Sequence, residues 1–104
     1  MEKNLLILGA SGHGRVVKET AEAMNIFEKI GFLDDNSEMA IGKLNDVSEL
    51  SKEYRYAFVA IGSNELRMEW IKRVEELGYI LPVLIHPKAI VSSSASVYPG
   101  TIVT

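Results

Sequence analysis

Asn4-Leu5-Leu6-Ile7-Leu8-Gly9-Ala10-Ser11-Gly12-His13-Gly14-Arg15-Val16-Val17 decides how the rest of the chain is read. Leu5 to Leu8 is continuously apolar and of strand length, three glycines follow within six residues, and apolar residues then return at helical spacing. That order predicts strand, tight turn and helix. Such a junction suits anions. The first turn of a helix carries amide hydrogens without intrahelical partners and the positive end of the helix dipole, and glycines let a phosphate approach without meeting a Cβ. A phosphate-bearing ligand is the first expectation; close packing of strand on helix is the alternative use for the same glycines.

Outward from this stretch the pattern repeats. The helix is expected from about His13 to Met24, with Val16, Val17, Thr20, Ala21 and Met24 on its buried face and Asn25 at its stop. Lys29 to Leu33 reads as a second strand running into the polar loop Asp34-Asp35-Asn36-Ser37. Asp46 with Glu49 three residues later resembles a capping box opening a short helix that carries Val47 and Leu50. Ala57 to Ile61 is a third buried strand ending at Gly62-Ser63-Asn64, followed by a helix with Leu66, Trp70, Ile71, Val74 and Leu77 in register and Gly78 at its C-terminal stop. In Ile80 to Ile85, Pro82 cannot donate to a ladder, so this strand lies at an edge or begins later.

Strands alternating with helices imply an open α/β domain: a parallel sheet with right-handed crossovers and helices on both faces. Such sheets take ligands at the carboxyl ends of their strands, so the loops Gly9 to Gly14, Asp34 to Ser37 and Gly62 to Asn64 should converge on one crevice. After His86-Pro87 the character changes. Val91, Val97 and Val103 recur every six residues, and the small Ala95 and Thr101 each follow a valine by four. This is the period of a hexapeptide β-helix, and its third repeat has only begun at Thr104.

The 104 residues suffice for one independently folding core, and nearly half of them are apolar. A net charge of −3 without a basic cluster argues against nucleic acid as a partner. There is no cysteine, hence no disulfide or thiolate metal site, and two isolated histidines make no metal constellation. No apolar run is long enough to span a bilayer and the first residues lack the features of a signal peptide, so the expected location is cytoplasmic.

The glycine loop spells G-x-x-G-x-G, not the G-x-G-x-x-G of the dinucleotide fingerprint, and it lacks the Lys-Ser/Thr of a P-loop. Asp34 nonetheless lies twenty residues after Gly14, where a dinucleotide fold places its ribose-binding acid. Asp34 and Asp35 suit ribose hydroxyls or a base N–H, or they are a solvated turn. His13 can donate to a phosphate or sugar hydroxyl, or it is a plain surface histidine. Ser63 or Asn64 caps its helix, and Arg67 one turn in reaches a phosphate or stays in solvent. Trp70 reads as core, from its register with Leu66 and Val74, and His86 as part of a linker.

Leu6 to Gly14, Gly31-Phe32-Leu33-Asp34-Asp35, Ala60-Ile61-Gly62-Ser63-Asn64 with Arg67, and Leu84-Ile85-His86-Pro87 with the hexad tail together resemble the N-terminal half of a bacterial enzyme family. It is that of the sugar acetyltransferases of the sialic-acid O-acetyltransferase and bacillosamine-pathway N-acetyltransferase type. The resemblance implies a small Rossmann-like domain over residues 1–87 that holds a UDP-sugar. Residues 88–104 would begin a left-handed β-helix, truncated here, which in the family trimerises and binds acetyl-CoA between subunits. It also implies that Gly9, Ser11, Gly12, His13 and Gly14 face the diphosphate and sugar, Asp34 and Asp35 the uridine, and that Gly62 and Asn64 close the same crevice. The family's acceptor-activating histidine lies in the β-helix beyond Thr104, so no catalytic residue is expected within these residues and they should bind nucleotide-sugar without catalysing transfer. Two other readings stand beside this one: an NAD(H)-binding oxidoreductase fragment, and a non-catalytic nucleotide-binding or interaction module.

Overall fold

The structure is a computed structural model and describes residues 3–89, 91 and 97–104. The chain runs β1 (Asn4–Leu8), α1 (Gly12–Met24), β2 (Lys29–Leu33), a 3-10 helix (Leu44–Ser48), β3 (Tyr56–Val59), α2 (Asn64–Glu76), β4 (Leu84–Ile85) and β5 (Ile102–Val103). The first three strands form a parallel sheet in the order β2-β1-β3. Leu6 lies opposite Gly31 on one side and Ala57 on the other.

All of β1 is buried, as a central parallel strand covered on both faces should be. Alternation along the strand then assigns its side chains to two cores. Leu5 and Ile7 join Phe32, Phe58, Val17 and Ala21 on the face covered by α1. Leu6 and Leu8 join Leu33, Ala57, Val59, Val74 and Val47 on the face covered by α2 and the 3-10 helix. Helices thus cover both faces, as the alternation of elements predicts. Tyr79 extends the second core, donating its hydroxyl to Val47 O at 2.6 Å, and burial pushes its pKa up to about 12.

The helix stops follow from backbone conformation. Asn25 adopts the left-handed region with φ 55° and ends α1. Beyond α2, Gly78 has φ +91°; its amide donates to Glu75 O and that of Tyr79 to Val74 O, the paired bonds of a Schellman stop.

Two local expectations are corrected, and a third, for Ile80 to Ile85, resolves to the later start. Val16 is 40% exposed. Gly14, whose missing side chain leaves room for the Gly9 carbonyl, starts the buried arc of Gly14, Val17, Thr20 and Ala21. Asp46 does not open the short helix: it is the third residue inside it, and its carboxylate reaches back to accept from the Lys43 amide at 2.8 Å. The segment from Ile80 to Ile85 is not one strand. Ile80 forms a single parallel bridge with Tyr56, and beyond Pro82 only Leu84 and Ile85 are extended.

β4 pairs in parallel with β5, Leu84 with Ile102 and Ile85 with Val103, an offset of eighteen residues. Val103 of the hexad pattern is therefore in a strand, while Ala95 lies outside the described residues.

The turn from β1 into α1 depends on two absent side chains. A Cβ on Gly14 would meet the carbonyl oxygen of Gly9 at 2.0 Å, and one on Gly9, with φ +107°, would meet Ala60 O at 2.7 Å. Gly12 differs: nothing lies within 4 Å of the place its Cβ would take. Gly14→Ala should cost at least about 3 kcal/mol of stability, while Gly12→Ala should leave stability unchanged or raise it by up to about 1 kcal/mol. Urea unfolding of the two variants checks the pair of outcomes.

Candidate functional site

The chain crosses from β1 to β2 on one side and returns past β1 to β3 on the other, so the crossovers diverge at the carboxyl end of β1. Open α/β sheets take ligands at such a divergence. Here the loops after β1, β2 and β3 enclose an open cavity of about 230 Å³.

Its polar side is built from Gly9, Ser11, Asp34, Asp35, Asn36 and Gly62. Hydrogen bonds fix these loops to one another. The Gly9 amide donates to Leu33 O at 2.8 Å, and the Ala60 amide to Leu8 O at 2.8 Å. Asp34 joins the loops after β1 and β2, since its Oδ2 accepts from the Ala10 amide at 2.9 Å and its Oδ1 from the Asn36 amide at 2.8 Å. These two backbone bonds, that to Ala10 first, hold its carboxyl below the usual carboxylate range. Asp35 Oδ1 accepts from the Leu44 amide at 3.0 Å, and among the described residues its other oxygen accepts nothing.

Ser11 is the N-cap of α1, yet its hydroxyl makes no capping bond. The first intrahelical bond runs from Arg15 N to Ser11 O, so the amides of Gly12, His13 and Gly14 have no acceptor within their own helix. These are the groups an anion would use.

Gly9, Ser11, Asp34, Asp35 and Gly62 of the expected site residues therefore line one cavity. Gly12, His13, Gly14 and Asn64 do not. Gly12 and His13 are exposed at the start of α1, beside Ser11, whereas Gly14 is buried under it. Asn64 is turned to Arg67, whose guanidinium donates to its side-chain oxygen, and Ser63 is the cap of α2, accepting from Leu66 N at 3.4 Å. Among the described residues there is no cluster of three or more His, Asp or Glu able to hold a metal ion, and no helix is long and apolar enough to cross a membrane.

Sequence reasoning missed the apolar side, formed by Leu44, Ala60, Ile61, Leu66 and Trp70. Leu66, Trp70 and Val74 share one stripe of α2. Val74 is fully buried, Trp70 is half-buried and Leu66 is 49% exposed, so the stripe leaves the core and becomes the wall of the cavity. The available signal was position: Leu66 and Trp70 lie in the first two turns of the helix that starts shortly after β3 ends.

The comparisons with known proteins meet this geometry. The family model for the PglD N-terminal domain matches residues 4–74, which carry all three loops. The chain belongs to that family. UDP-N-acetylbacillosamine N-acetyltransferase from Bacillus subtilis (strain 168) is 32% identical over 110 residues, covering 97% of this chain and 51% of the relative. The acetyltransferase domain of PglB from Neisseria gonorrhoeae FA1090, solved in complex with acetyl coenzyme A, superposes with a TM-score of 0.89 at 38% identity, over 98% of this chain and 53% of that one. GDP-perosamine N-acetyl transferase from Caulobacter crescentus, solved with CoA and GDP-perosamine, gives a TM-score of 0.75 at 30% identity, over 88% and 46%. The functionally named relatives are sugar N-acetyltransferases, and this PglD-type chain spans about half the length of those it matches.

Because the folded state holds the Asp34 carboxyl below the ordinary carboxylate value of about 3.9, its bonds stabilise the fold above that value and are lost as the pH falls through the depressed one. Asp34→Ala should flatten the acid limb of unfolding free energy between about pH 5 and pH 2. The variant should also expose the Ala10 and Asn36 amides to hydrogen exchange at neutral pH.

Proposed function

We propose that the crevice binds a nucleotide-activated sugar, and that the full-length protein acetylates the sugar from acetyl-CoA. The observation that carries this reading is one open cavity lined by Gly9, by Ser11 at the N-cap of α1 and by Asp35, with the first-turn amides of α1 following directly on Ser11. The free amides of the first turn of α1 suit a diphosphate. Asp35, with one oxygen unengaged among the described residues, suits a ribose diol. Asp34 supports the ligand indirectly by fixing the loop.

The named relatives act on a UDP-linked and a GDP-linked sugar, and both are N-acetyltransferases. An amine on a nucleotide-linked sugar is thus the acceptor we favour, and a UDP-sugar the carrier, in line with the bacillosamine relative. On this reading residues 1–87 are the nucleotide-sugar domain and residues 88–104 begin a left-handed β-helix. The eighteen-residue offset between β4 and β5 supports that division, since three hexads make one coil of such a helix. A β-helix coil needs neighbours to bury its faces, and a homotrimer supplies them. The reaction belongs in the cytoplasm, where thioester donors and activated sugars are made.

The helix N-terminus offers a test that separates binding from folding. The space at residue 12 is open, so Gly12→Asp is accommodated, and its carboxylate complements the helix dipole while repelling a diphosphate. Calorimetry with a UDP-sugar should show saturable binding to the unaltered protein, a loss of at least about tenfold in Gly12→Asp at undiminished melting temperature, and no binding of NADH. NADH binding without a response to UDP-sugar would replace this reading with the oxidoreductase one.

A further inference from the structure

The two sides of the cavity differ in chemistry, and a diphosphate and a ribose would engage only one of them. Phosphates and hydroxyls suit the amides, Ser11 and Asp35. None of them suits Leu44, Ile61, Leu66 and Trp70, where an indole and a half-exposed leucine meet solvent across the cavity.

The indole is also held in place. The Arg73 guanidinium lies over the Trp70 ring, 4.9 Å from its centroid, and donates to Asn45 Oδ1 at 3.0 Å. Asn45 belongs to the 3-10 helix, next to Leu44. This bridge joins α2, which carries Leu66 and Trp70, to the 3-10 helix, which carries Leu44. A ring fixed before the ligand arrives loses little freedom on binding, which is the condition for a flat aromatic contact to add affinity.

We propose that Trp70 is the contact for the nucleobase, and that Arg73 and Asn45 are positioning residues that hold it. The inference rests on the nucleotide-sugar reading above and deepens it. Of the parts of such a ligand, only the base has broad apolar faces. With the diphosphate at the start of α1 and the ribose at Asp35, the base is the part left to meet the opposite wall. Stacking tolerates any base, so Trp70 supplies affinity for the nucleoside and leaves the choice between uracil and guanine to polar groups at the ring edge.

Trp70 is the sole tryptophan of the chain, so its emission reports on this wall without any substitution. UDP, GDP and inorganic pyrophosphate are titrated into the unaltered protein, followed by both fluorescence and calorimetry, and then into Trp70→Leu and Trp70→Phe. UDP and GDP should change the emission saturably, at the midpoint given by calorimetry, and pyrophosphate should not. Trp70→Leu should lose about tenfold or more in UDP affinity, retain its pyrophosphate affinity, and be largely rescued in Trp70→Phe. Calorimetric binding of UDP with unchanged emission and unchanged affinity in Trp70→Leu would overturn the inference while the nucleotide reading stood. Absence of any nucleotide heat in the unaltered protein would overturn both.

Discussion

The chain passes from β1 into α1 only because two residues lack a Cβ. Gly9 takes a positive φ beneath the carbonyl of Ala60, and its own carbonyl fills the space that a side chain on Gly14 would need. From that crowded point the adjacent structure is stitched together. The Gly9 amide is taken by the end of β2, the carbonyl of Leu8 by the start of the loop after β3, and the Ala10 amide by the carboxylate of Asp34. Three strand ends are bound to one another before any ligand is considered. The amides at the start of α1 are therefore presented by a rigid frame, which is where a binding loop gains most.

The two adjacent carboxylates divide between building and presenting. Asp34 uses both oxygens on backbone amides, and its depressed pKa is the electrostatic record of those bonds. Asp35 uses one oxygen to hold Leu44 and lines the cavity. The glycines divide in the same way: Gly9 and Gly14 are required by packing, and Gly12 is the one whose surroundings are open. A loop motif that reads as three equivalent glycines is thus two positions required by packing and one with open space around it. The cavity follows this division, with polar groups from the loops on one side and the emerging apolar stripe of α2 on the other.

Much of this was legible because it is local. β1, β2 and α1 announce themselves by unbroken apolar runs and by a 3.6-residue period, and Asn25 and Gly78 mark their helix ends by a conformation few other residues adopt. The convergence of the three loops was legible too, since a parallel sheet places every strand's carboxyl end on the same side. Nonlocal features were not. The partner of β4 is eighteen residues further on, and nothing in Leu84-Ile85 specifies it. The role of Trp70 was hidden because a core stripe and a cavity wall have the same periodicity, and only the distance from the sheet's edge distinguishes them. Val16 was misplaced for the complementary reason, since apolar character alone does not say which side of the helix meets the sheet at a glycine.

The most direct measurement is amide chemical-shift mapping of the isotope-labelled protein during titration with a UDP-sugar. Saturable shifts are expected at Gly9, Ser11, Gly12, His13, Asp35, Asn36 and Gly62, together with the indole N–H of Trp70, if the crevice holds the ligand. Binding in the crevice is contradicted if the spectrum is unmoved by millimolar ligand, or if the shifts gather at β4 and β5 while the three loops stay as they were.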